Sequence, residues 1–229
     1  MPPTVGRVTG YVLLPSPLVG AATWQSVAEV LRRGGASVSV ASTDGCTTPE
    51  QVQAAYVAAV PAAEPRVVLV PHSNAGYLAP GVAGAVGAAG VVYVDAALPP
   101  TTGPATLAPP AFLEFLADLA DEDGMLPPWT QWWDDEANAL FPDDATRAAV
   151  VAGQPRLPLA YFRAVVRPPA GWTARPSGYL AFGDTYAEEL HRATALGWPT
   201  RLLEGGHLHL LRDPVQVAAA ITELAARIV

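Results

Sequence analysis

Three residue types that together can move a proton and form a covalent bond occur in separate segments of this chain, each just past a short apolar run. Ser73 follows Val67–Val70, Asp184 follows Ser177–Gly183, and His207 follows Thr200–Leu203. A serine hydroxyl is a weak nucleophile until an imidazole takes its proton. The imidazole needs an acid to hold its tautomer and to stabilise it once charged. Asp95 closes a further run, Val91–Val94, and competes with Asp184 for the acid's role. Around Ser73 the order is Pro71-His72-Ser73-Asn74-Ala75-Gly76. A buried strand, a sharp turn with serine at its apex and a helix rich in small residues over Leu78–Ala89 is the context of a nucleophile elbow. The glycine stands one place later than in the usual Gly-x-Ser-x-Gly.

These residues need a scaffold that brings strand ends together. Apolar runs at Val8–Leu14, Ser37–Ala41, Val67–Val70, Val91–Asp95, Ser177–Gly183 and Thr200–Leu203 read as strands. Between them, Trp24–Arg33, Pro49–Val60, Leu78–Ala89 and Tyr186–Ala195 read as helices, and Pro214 opens a last one. Gly34-Gly35 stops the first helix, and Pro61 and Pro65 lead into the strand at Val67. Strand and helix alternating at short spacing predict a doubly wound, mostly parallel sheet, whose carboxyl edge binds ligands. Residues 101–175 break this texture with Pro104, Pro109 and Pro110, a helix bearing Phe112, Phe115, Leu116 and Leu119 on one face, and four tryptophans, Trp129, Trp132, Trp133 and Trp172. They read as an insertion over the sheet, not as a second core.

Composition narrows the partners. The chain has 229 residues, enough for one sizeable domain, with 51% hydrophobic and 15% charged residues. It contains 13 Arg and no Lys against 21 acids, a net charge of −8, which is a poor match for nucleic acid. No Lys or Arg lies between Arg66 and Arg147, where eleven acids do; the run Glu114–Asp144 reads as a solvated face that disfavours anionic substrates. A single cysteine, Cys46, forms no internal disulfide and no zinc cluster. The start, Met1-Pro2-Pro3, lacks the order of a signal peptide, and no long apolar run escapes a breaker, so a soluble cytoplasmic protein without a membrane partner is expected. His209 reads as structural and His72 as packed beneath the elbow.

The chain resembles the α/β-hydrolase superfamily over nearly its whole length, and more narrowly its small actinobacterial members. The likeness rests on Leu13-Leu14-Pro15-Ser16-Pro17-Leu18-Val19-Gly20 with Trp24 and Val27-Ala28, on the elbow, on Val91–Asp95 with Ala96-Ala97-Leu98-Pro99, and on Gly205-Gly206-His207 followed by Leu211 and Asp213-Pro214. The resemblance implies a core of residues 1–100 and 176–229 and a cap of residues 101–175. It implies that Ser73, His207 and Asp184 act on an ester or thioester carbonyl, with Asp95 the alternative acid, and that no metal or organic cofactor takes part. The oxyanion would be held by the N–H of Asn74 and by a second N–H after the first strand. That second position falls on Pro17, which has no N–H, so Leu18 or a side chain must replace it. The same departure keeps two other readings open: a lyase or cyclase of a natural-product pathway, and a non-catalytic small-molecule binding protein.

Overall fold

The computed structural model describes residues 10–62, 66–133 and 136–229. The reading of Met1-Pro2-Pro3, the start of the first strand at Val8, Pro65 and the acidic pair at 134 and 135 lie outside these residues. Among the described residues eight strands are seen: β1 (Gly10–Leu14), β2 (Ser37–Val40), β3 (Val67–Ser73), β4 (Gly90–Ala96), β5 (Ala105–Thr106), β6 (Val165–Val166), β7 (Ser177–Phe182) and β8 (Thr200–Leu203). Six of them form one parallel sheet in the order β2-β1-β3-β4-β7-β8, while β5 and β6 pair as a short antiparallel ribbon. Every residue of β1, β3, β4 and β7 is buried, which explains why these strands read as unbroken apolar runs and not as alternations.

Helices flank the sheet where the periodicity places them. Gln25–Arg33 buries Val27, Ala28 and Leu31 and ends in a Schellman arrangement: Ala36 N–H reaches Leu31 O and Gly35, at φ 88°, supplies the left-handed residue. Pro49–Ala58 begins with a capping box between Thr48 and Gln51. Asp213 caps Pro214–Ile228 by accepting from Gln216 N–H at 2.8 Å. That last helix buries Val217, Ile221 and Leu224, each such side chain contributing roughly 1.5–3 kcal/mol on burial, and the smaller Ala225 beside them.

Residues between β4 and β7 hold the ribbon, several short helices and an aromatic cluster. Trp132 meets Phe112 and Phe162, and Trp133 meets Phe115 and Trp129, all with ring centroids between 5.2 and 6.2 Å apart. Trp172 departs from the expectation that groups it with the other three. It packs instead on Tyr93 of β4 and on Trp198. No helix among the described residues is long and apolar enough to cross a membrane.

Candidate active site

Ser73 ends β3 at φ 58° and ψ −131° and is followed at once by a 3-10 turn, Asn74–Tyr77, and the helix Ala79–Val86. That conformation is strained for a residue with a Cβ and costs about 1–3 kcal/mol. It needs close backbone approach on the far side of the turn. A Cβ at Gly76 would lie 2.0 Å from Ala97 O, so only glycine fits there. The displaced glycine of the motif is thus explained: it serves the contact between the turn and the end of β4.

The end of β4 is distorted as well. His72 pairs with Val94 but Ser73 pairs with Ala96, which leaves Asp95 as an extra residue in a bulge at φ 41°. Ser73 and Asp95 are the only non-glycine residues with positive φ among the described residues. The bulge is stitched from β7, where the Tyr179 hydroxyl accepts from Ala96 N–H at 3.1 Å and donates to Ala96 O at 2.6 Å. The carboxylate of Asp95 is fully buried; Oδ1 accepts from Phe182 N–H at 2.9 Å.

His207 completes the arrangement. Its Nδ1 lies 2.6 Å from Asp95 Oδ2, and its Nε2 lies 3.0 Å from Ser73 Oγ. A carboxylate can only accept, so Nδ1 carries the proton and Nε2 is left to accept from the Ser73 hydroxyl. The side chain of His207 is 12% exposed and Ser73 is 5% exposed, so the linkage is largely withdrawn from water. The loop is held tightly: Gly205 faces the His209 ring and Gly206 faces Leu140, at distances that leave no room for a Cβ. His209 itself bonds Gln216 at 3.1 Å and packs on Phe182, in keeping with a structural role.

The expectation for Asp184 is corrected here. It lies two residues past β7 in an exposed turn, while the carboxylate that meets His207 is that of Asp95. The physical reason is the bulge, which swings one residue of a buried strand end out of register and toward the histidine.

His72 is buried and stacks on His207 with ring centroids 4.6 Å apart. Its Nε2–H donates to His207 O at 3.1 Å, and its Nδ1 meets no protein partner. Burial, and then the neighbouring His207, push its pKa well below the usual histidine value, so it stays neutral and braces the loop. Asn74 begins a helical turn, where the first N–H groups have no acceptor within the turn. Its side chain spans outward, with Nδ2 donating to Leu107 O at 2.7 Å and Oδ1 accepting from Tyr161 O–H at 3.1 Å. Leu18 N–H faces Ser16 Oγ at 3.4 Å within its own loop, so it is turned toward that side chain.

Two aromatic side chains join this site, Trp129 from the insertion's tryptophans and Tyr186, which carries no sequence signature. The ring of Trp129 lies 6.1 Å from that of His207, and the Tyr186 hydroxyl lies 3.5 Å from Ser73 Oγ. Among the described residues no group of three His, Cys, Asp or Glu side chains is arranged to hold a metal ion. A buried serine, imidazole and carboxylate in one hydrogen-bonded line can pass a proton from the hydroxyl to the ring as the oxygen attacks an electrophilic carbon.

The sequence matches no protein-family profile and no curated protein. Solved structures do resemble the chain. An extracellular α/β-hydrolase of a Paenibacillus species, described as sharing structural and functional homology with tobacco salicylic acid binding protein 2, is 19% identical, with a TM-score of 0.73 over 96% of this chain and 98% of that one. Polyneuridine aldehyde esterase is 15% identical, with a TM-score of 0.74 over 96% of this chain and all 100% of its own. A tomato methylketone synthase I variant complexed with beta-ketoheptanoate is 17% identical, with a TM-score of 0.73 over 97% and 99% of the two chains. With its six parallel strands, flanking helices and these neighbours, the chain has the α/β-hydrolase fold.

Proposed function

We propose that this protein is a serine hydrolase, esterase- or thioesterase-like, that acts on neutral, largely apolar small-molecule esters. The observation that carries the reading is the continuous line Ser73–His207–Asp95, with links of 3.0 and 2.6 Å. In this mechanism Ser73 Oγ attacks the carbonyl carbon while its proton passes to His207 Nε2. Asp95 holds the ring and stabilises the imidazolium, and the N–H of Asn74 receives the developing oxyanion. The proton on Nε2 then goes to the leaving oxygen or sulfur. A water molecule attacks the acyl-serine with His207 as base and restores the free enzyme.

Residues 101–175 serve as the cap in this reading. Trp129 over His207, Leu140 against Gly206 and the bonds from Asn74 to Leu107 and Tyr161 support that role. An aromatic roof gains about 25 cal/mol for each Å² of apolar ligand surface it covers. No Lys or Arg occurs between Arg66 and Arg147, so an anionic substrate meets no permanent cation in that stretch.

A fluorophosphonate probe followed by mass spectrometry tests the chemistry: labelling is expected on Ser73 and is expected to vanish in His207→Ala. A panel of p-nitrophenyl esters with matched mono-anionic members tests the substrate class, the neutral members being the better substrates by kcat/KM. A lyase or cyclase reading draws on Pro17 and on the engagement of Leu18 N–H within its loop, which leave one backbone donor at the oxyanion position. An unlabelled Ser73 in a folded protein would favour that reading.

A further inference from the structure

The approach to Ser73 has two sides, because β3 lies inside the sheet order β1-β3-β4-β7-β8. The Pro15–Gly20 loop, which follows β1, comes from one side. His207, which follows β8, and Tyr186, which follows β7, come from the other. The backbone donors of an oxyanion hole belong to the first side and to Asn74. The second side is where the proton of the imidazolium is delivered.

Tyr186 is built into that second side. It stands immediately before the helix Ala187–Ala195, its ring tilts against His207 with centroids 5.6 Å apart, and its hydroxyl lies 3.5 Å from Ser73 Oγ. The Ser73 hydroxyl is committed to His207 Nε2, so between the two hydroxyls Tyr186 is the donor. Burial raises the phenol above its ordinary pKa, opposed by the bond to Ser73, and it remains a neutral donor through the working range of an imidazole base.

On the serine-hydrolase reading above, we propose that Tyr186 is a further catalytic residue, one that hydrogen-bonds the leaving-group oxygen beside His207. When the tetrahedral intermediate collapses, the bond from carbon to the leaving oxygen breaks and its electron pair moves to that oxygen. His207 Nε2 gives that oxygen its proton. Tyr186 donates a hydrogen bond to it and keeps its own proton. In the second half-reaction the attacking water takes the same place. The residue therefore matters most when the leaving oxygen is strongly basic and carries most charge in the transition state.

The test is Tyr186→Phe on two esters that share one acyl group, an ethyl ester and a p-nitrophenyl ester. The expected result is a loss of about 10-fold in kcat/KM on the ethyl ester, the size of one hydrogen bond, and of less than about 2-fold on the p-nitrophenyl ester. Comparing two substrates on one variant cancels any general loss of folded protein. An equal loss on both esters would place the hydroxyl on the carbonyl oxygen and overturn the assignment, as would no loss on either. Wild-type turnover that survives Ser73→Ala, or wild-type protein that hydrolyses neither ester, would overturn the hydrolase reading itself.

Discussion

Strands β4 and β7 are neighbours in the sheet, run in the same direction, and each leads to an aspartate at the carboxyl edge. β4 carries an extra residue at its end, and Asp95 is turned inward at φ 41° onto His207. β7 ends regularly at Phe182, and Asp184 follows in an exposed turn. The two tips differ in backbone, not in chemistry. A carboxylate at a strand end becomes a partner for an imidazole only where the strand is bent to aim it, and the bend needs outside support. Here the support comes from β7 itself, through Tyr179 on Ala96 and Phe182 N–H on Asp95.

The largest effect that can break this comparison is on turnover. Asp95→Asn is expected to lower kcat on the ester substrates by about 10⁴, as triad acids do elsewhere, while Asp184→Asn leaves it within about 2-fold. Steady-state kinetics on both variants decides, and the reverse ranking would show that the exposed tip supplies the acid. A smaller effect probes the support. Tyr179→Phe leaves a buried N–H and a buried carbonyl of Ala96 without their partner and is expected to cost about 1–3 kcal/mol in urea unfolding. Unchanged stability and unchanged activity in that variant would show that the bulge holds itself.

The smallest effect concerns His72, which braces the loop from β3. Its folded pKa lies well below its unfolded value, so in mildly acidic solution the unfolded chain binds a proton that the folded chain does not. Stability from this group is therefore complete above about pH 6.5 and falls as the pH drops below it, by at most about 1.4 kcal/mol per unit. Unfolding curves at about pH 5 and about pH 7 for wild type and His72→Gln measure it. The expected outcome is a shallower pH dependence in the variant, and an identical dependence would place the titration elsewhere.

Much of this was legible in the sequence. Unbroken runs such as Val67–Val70 and Val91–Val94 read as strands buried on both faces, and they place Ser73 and Asp95 at the sheet edge. The choice of acid was not legible by position, because a bulge of one residue leaves no periodic trace in a strand without alternation. A physical signal was nonetheless present. Asp95 is a lone charge inside Val91–Leu98, where it must find a partner, whereas Gly183-Asp184-Thr185 has the composition of an exposed turn. Tyr186 had no such signal, because a loop aromatic acquires its role only from where neighbouring elements carry it. Trp172 misled for the same reason: proximity in sequence to the other tryptophans said nothing about the face on which it lands.

Asn74 ties the turn after Ser73 to two points between β4 and β7, Leu107 O and Tyr161 O–H. Its consequence is clearest for chimeric proteins. Exchanging residues 101–175 for the corresponding segment of another protein of this fold also exchanges the acceptor and the donor that Asn74 uses. An unmatched graft strands a buried amide beside Ser73. Modularity therefore stops one residue after Ser73, and a transplanted substrate specificity must bring its own residue 74.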